Sequence, residues 1–160
     1  MKKLSLYTIA LILAGLAFSS CQQILTDARS DEIKKEMRDF TDEVVGHMNE
    51  GDTAAFFSYY SNQFTLLSKG DREVVDRQTR EEWKAAVGQR LTGDDRTIYT
   101  IEDLWVEVYA HNSANVCHTW VKTTTYENDS TSQSRGAATW TIYREDTGWK
   151  IKHAHTSAPG

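Results

Sequence analysis

Gly148-Trp149-Lys150-Ile151-Lys152-His153-Ala154-His155-Thr156-Ser157 places Trp149, Ile151, His153 and His155 at every second position, with Lys150, Lys152, Ala154 and Thr156 between them. Successive side chains of a strand point to opposite faces, so this stretch predicts a closing strand with one buried side. On this reading two imidazoles share the buried side with Trp149 and Ile151.

The segments before it are of the same kind. Thr97–Tyr109, Asn115–Glu127 and Arg135–Glu145 are rich in Thr, Val, Tyr and Trp. Polar turns separate them: His111-Asn112-Ser113, Asn128-Asp129-Ser130 and Asp146-Thr147-Gly148. Short turns imply antiparallel neighbours, hence a four-stranded meander. Further upstream the period changes. Ser30 is read as an N-cap, with Asp31 and Glu32 in the first turn. Ile33, Met37, Phe40, Val44 and Met48 then recur at helical spacing, and Gly51 ends the helix. Asp52 caps a second helix, Thr53–Tyr60. Its Tyr59 and Tyr60, with Trp83, are read as helix-to-sheet core. Gln63–Ser68 is a short strand. Thr79-Arg80-Glu81-Glu82 matches a capping box and opens a helix that stops near Gly93. Helices first and strands last predict an α+β domain, with N-terminal helices packed on one face of an antiparallel sheet.

The N-terminal end reads as an export signal. Lys2 and Lys3 precede an apolar run, Leu4–Phe18, that is short for a membrane span, and Ser19-Ser20 lead into Cys21. Small residues before a cysteine resemble a bacterial lipoprotein signal, which implies lipid on Cys21; Phe18 departs from the usual Leu. Residues 1–20 are then the signal, 21–29 the anchor and tether, and 30–160 the domain. Gln22, in place of Asp, points to the outer rather than the inner membrane of the cell envelope. The signal contributes two of the 18 basic residues and none of the 23 acidic ones, so the exported chain is acidic. Without a basic run, nucleic acid is not an expected partner. Cys117 is the one thiol left beside Cys21, so no internal disulfide is expected.

Asn49-Glu50-Gly51-Asp52 between the first two helices, and the ending Trp149, His153, His155, Ser157, Ala158-Pro159, carry a resemblance. Together with the element order from Asp31 to Gly160, they resemble the nuclear transport factor 2-like superfamily. The likeness is to its SnoaL-like members and to the association domain of calcium/calmodulin-dependent protein kinase II. Thr131-Ser132-Gln133-Ser134 echoes that domain too. The resemblance implies a strongly curved sheet of the cystatin-like kind, bent around a long helix and leaving a conical cavity. Departures accompany it. Lys122 and Trp140 stand where the association domain places arginines. Gln63–Gly70 holds no carboxylate where steroid isomerases of the superfamily keep their general base.

The candidate ligand-binding residues are His118, Trp120, Lys122, Trp140, His153 and His155. His118, Trp120, Lys122 and Trp140 share one strand parity; on the cavity side they form an aromatic floor with a cationic edge, on the other side a dimer face. The cavity side is the reading taken. No catalytic residue is assigned, and no cofactor or metal is expected; a metal site here would take His153 and His155 with His118 as its third ligand. Cys117 is read as core filler, and Glu102, Asp103 and Glu107 as acids on the wet face. The expected function is binding of a small amphipathic molecule by a membrane-anchored homodimer. The alternatives are an isomerase, dehydratase or cyclase using His153 or His155, and an oligomeric assembly domain.

Overall fold

A computed structural model describes residues 25–69, 75–91, 93 and 95–157. Cys21 and the signal sequence lie outside the described residues, as does Asp71. Helix α1, Asp27–Glu50, begins before the expected Ser30. Thr26 is the N-cap and accepts from the Arg29 amide at 3.3 Å, so the chain predicted to be a tether is partly the first turn. Arg29 also bridges Glu32 at 2.6 Å and Glu36 at 3.0 Å, which ties that turn to the next two. The predicted apolar stripe holds: Ile33, Met37, Phe40 and Val44 are buried. Gly51, at φ 72°, closes the helix. Its amide reaches the Met48 carbonyl while that of Asp52 reaches His47, the paired bonds of a Schellman motif.

Asp52 caps α2, Thr53–Ser58, by accepting from the Ala55 amide at 3.0 Å. Strand β1, Tyr60–Lys69, takes Tyr60 from the predicted helix, and β2, Val75–Thr79, follows it. Helix α3, Arg80–Leu91, starts on the expected capping box: Glu82 accepts from the Thr79 amide and hydroxyl, both at 2.8 Å. Strands β3 (Arg96–Ala110), β4 (Ser113–Thr125), β5 (Thr131–Glu145) and β6 (Gly148–Ser157) form the predicted meander.

The six strands make one sheet in the order β2-β1-β6-β5-β4-β3. It is mixed rather than wholly antiparallel, because β1 runs parallel to β6. Short turns dictate antiparallel neighbours within the meander. The β1–β6 pair is joined across the whole chain, and no local signal sets its direction.

One face of this sheet packs on α1. Ala114, Val116 and His118 of β4, Ala138, Trp140 and Ile142 of β5, and Ile151 and Ala154 of β6 are all buried. Phe56, Phe57, Tyr60, Phe64 and Trp83 close the β1 side as an aromatic cluster, with the Tyr60 and Trp83 rings 4.4 Å apart. Tyr59 packs edge-on against Phe40 at 5.2 Å.

Candidate functional site

The register decides which side chains share a face. Val116 is opposite Trp140, His118 opposite Ala138, and Trp120 opposite Gly136. On the other flank Lys122 is opposite Tyr99, Trp120 opposite Ile101 and His118 opposite Leu104. His118, Trp120, Lys122 and Trp140 therefore lie on one face, and it is the face that meets the helices.

The closing strand behaves otherwise. Ile142 pairs with Ile151 and Thr141 with His153, so Lys152 is an extra residue in β6. Two residues of β6 thus span one step of β5, the definition of a β-bulge. The bulge reverses the alternation. Ala154, not His153 or His155, joins Ile151 on the helix side. His153 lies half-buried on the outer face, its Nδ1 2.9 Å from the Thr65 hydroxyl, and His155 is exposed. The expected shared face of Trp149, Ile151, His153 and His155 is corrected accordingly. A metal trio with His118 is also excluded by direction, because its members point to opposite sides of the sheet. Among the described residues no group of three His, Cys, Asp or Glu side chains is placed to hold a metal.

A cleft of about 510 Å³ opens between the end of α1, α3 and the ends of β3 and β4. Met48, Val87, Leu91 and Tyr99 supply its apolar wall, Lys122 its cation, and Asp95 and Glu127 stand at its rim. Asn49 fixes one edge: its amide side chain accepts from the Tyr99 N–H at 2.8 Å and donates to the Tyr99 carbonyl at 2.9 Å. This pair of hydrogen bonds to β3 gives Asn49, two residues before the capping Gly51, a physical role in the site. Lys122 is half-buried and makes no ion pair among the described residues.

From the cleft inward, the helix side of β4 reads Thr124, Lys122, Trp120, His118, Val116. The Trp120 ring meets Tyr99 edge-on at 5.9 Å. A Cβ at Gly136 would collide with the Trp120 ring and the Ser157 carbonyl, so the indole packs onto β5 at this point only because Gly136 has no side chain. Beyond it, His118 is 3% exposed and its ring stands edge-on to Trp140 at 4.5 Å. Its Nδ1 is buried with no hydrogen-bond partner. Burial holds its pKa down at about 4, so the imidazole is neutral at physiological pH.

The outer face differs. Trp105 is 50% exposed, Tyr109 60% and Tyr143 40%. Cys117 is on this face, half-buried, with the Thr139 hydroxyl donating to its Sγ at 3.6 Å, so it is not core filler. Glu102, Asp103 and Glu107 are exposed, as expected of acids on an edge strand. The residues that the sequence reading missed are Met48, Val87, Leu91 and Tyr99 as cleft wall. They sit on three separate elements; Met48, at the end of the α1 stripe, and Val87, an apolar position of the helix after the capping box, carry a helical signal, but nothing local joins them in one cleft.

The model of the SnoaL-like domain family matches residues 37–160. No curated protein matches the sequence. Among solved structures, a Xanthomonas campestris protein assigned as a calcium/calmodulin-dependent protein kinase II association domain is similar. It is 21% identical, with 78% of this chain and 86% of that one covered and a TM-score of 0.65. A nuclear transport factor 2-like protein with a cystatin-like fold from Novosphingobium aromaticivorans is 14% identical, covering 88% and 91%, with a TM-score of 0.63. The beta subunit of the benzoate 1,2-dioxygenase from Burkholderia mallei is 14% identical, covering 78% and 89%, with a TM-score of 0.67. At these identities the likeness is one of fold: nuclear transport factor 2-like and cystatin-like.

Proposed function

This chain belongs to the SnoaL-like domain family, and from that premise we propose that it holds a small amphipathic molecule in the cleft between sheet and helices. The observation that carries this reading is the cleft itself: an apolar wall of Met48, Val87, Leu91 and Tyr99 beside the half-buried Lys122. Such a pocket, apolar on one wall and polar on the other with Lys122 among its polar groups, suits a ligand with a hydrocarbon or aromatic body and an anionic end. Fold alone does not choose among the activities found on it. The enzymatic alternative loses its proton carriers, because His153 and His155 face away from the cleft.

The test is a fluorescence titration with anilinonaphthalene sulfonate, an anionic amphipathic dye. Saturable binding that Lys122→Gln weakens supports the reading. Binding unchanged in a folded Lys122→Gln protein would move the ligand elsewhere.

Two parts of the reading concern location and partners. The chain is anchored to the cell envelope, at the outer membrane, by lipid on Cys21. A Cys21→Ser protein that stays in washed membranes would refute this, since among the described residues no helix is long and apolar enough to cross a membrane. The chain also pairs as a homodimer through the outer face, where Trp105, Tyr109 and Tyr143 are exposed. Sedimentation of Trp105→Glu should report monomer, and an unchanged dimer would place the contact elsewhere.

A further inference from the structure

Acids stand at two hollows of this acidic chain: Asp95 and Glu127 at the cleft, and Glu36, Asp39 and Glu43 in a groove beside Trp149. A third hollow, of about 770 Å³, runs between α2 and α3, and among the described residues no carboxylate lines it. Arg80, Lys84 and Gly88 are four residues apart, so they share one face of α3, next to the stripe of Trp83, Val87 and Leu91 that packs on the core. Thr53 and Phe57 line the groove from α2. Lys84 is exposed, makes no ion pair among the described residues, and holds its Nζ 5.7 Å from the centre of the Phe57 ring. Arg80 donates from Nη1 to the exposed Glu81 at 3.0 Å and from Nη2 to the Phe57 carbonyl at 3.4 Å, while its Nε is buried with no hydrogen-bond partner. Glycine is a poor residue for a helix interior. A Cβ at Gly88 would meet nothing within 4 Å, so packing does not require the glycine there.

We propose that this groove is a second binding site, for the phosphate group of a phosphate ester, with Arg80 and Lys84 as its two cations. It lies outside the cleft and stands whether or not the cleft is occupied. Residues four apart on a helix have Cβ atoms about 5–6 Å from each other, a span that one phosphate bridges with separate oxygens. Arginine supplies a planar fork and lysine a point charge, and both suit phosphate. The Thr53 hydroxyl adds a donor from the other wall, and a phosphate oxygen gives the Arg80 Nε the acceptor it lacks. A bridging phosphate displaces Glu81, whose exposed carboxylate reaches only Nη1. The bare backbone at Gly88 leaves room for the organic part of the ester. Two sources carry this chemistry: a soluble phosphate monoester, and the diester headgroup of a phospholipid.

The experiment titrates the full-length protein, in a nonionic detergent, with glycerol 3-phosphate and with glycerophosphoglycerol, the headgroup of phosphatidylglycerol, by calorimetry. At least one probe should bind saturably, and whichever binds more tightly, monoester or diester, identifies the source. Lys84→Gln should weaken that probe about tenfold, the worth of one charge-assisted hydrogen bond. Gly88→Leu should abolish binding by filling the groove, with no loss of melting temperature, because leucine is the better helix former. Lys84→Gln changes an exposed side chain and decides the matter if the leucine variant melts early. Failure of both probes to bind at millimolar concentration overturns the proposal, as does a Kd that neither variant moves. A probe weakened by Lys122→Gln but not by Lys84→Gln sits in the cleft, which overturns the groove and leaves the cleft reading standing.

Discussion

Strands β4 and β6 have the same kind of sequence and opposite outcomes. In β4 the alternation runs unbroken against β5, so Ala114, Val116, His118, Trp120, Lys122 and Thr124 all stay on the helix side. In β6 one extra residue, Lys152, intervenes between Ile151 and His153, and the two histidines turn outward. A period of two has no tolerance: a single inserted residue moves everything after it to the other face. The candidate site is thus built on the strand that keeps its register. The strand that slips contributes only Ile151 and Ala154 to the core.

The sharpest way to break this comparison is to delete one residue from each strand. Removing Thr119 from β4 should swing Trp120 and Lys122 outward and turn Val121 and Thr123 toward the helices. The chain should then fail to fold, since the loss exceeds the roughly 5–15 kcal/mol that holds a domain together. Removing Lys152 should instead regularise β6 and leave Ile151, His153 and Ala154 on their present faces. Circular dichroism and thermal melts of the two deletions check this, and a cooperative melt from the Thr119 deletion would contradict it.

Next in size is Trp140→Ala. It removes a buried ring from between Val116 and Ala154 and should cost about 3–5 kcal/mol by denaturant unfolding. A loss under 1 kcal/mol would show that the helix side of β5 is not packed as described.

A pH effect of similar order separates His118 from the outer histidines. Its folded pKa of about 4 lies below the usual 6.5, so between those values the unfolded chain binds the proton and the folded one does not. Stability is therefore fully present above about pH 6.5 and falls on acidification toward pH 4, by something on the order of 3 kcal/mol. His118→Phe should flatten that part of the profile relative to wild type. An unaltered profile in a folded variant would mean that His118 titrates freely.

The smallest effect is reserved for His155→Ala. An exposed side chain on the outer face should change stability by no more than about 0.5 kcal/mol. A loss of 2 kcal/mol or more would return His155 to the core and undo the bulge.

Much of the molecule is legible in the chain because its signals are local. The α1 stripe from Ile33 to Met48 is written in a 3.6-residue period, and Gly51 stops it with a left-handed turn that few other residues adopt. Thr79 and Glu82 announce α3 by satisfying each other's free amides. The turns of the meander fix β3 to β6 as antiparallel neighbours, and parity alone groups His118, Trp120, Lys122 and Trp140. Helix α1 shows the limit of such signals, since Thr26 and Ser30 are both competent caps and the Arg29–Glu32–Glu36 pairs favour the earlier one.

Tertiary structure decided the rest. Parity says that residues share a face but not which face meets the helices; that needs α1 docked on the sheet. The bulge at Lys152 has no sequence signature, because it exists only where β5 and β1 both pair with β6. The parallel β1–β6 pair and the short β2 are contacts between parts of the chain that share no local pattern. The wall of the cleft gathers Met48, Val87 and Tyr99 from three elements. The burial of His118 is of the same kind: its sequence makes it one more residue of a strand, and only its packing against Trp140 under the helices takes away its water and leaves its nitrogen without a partner.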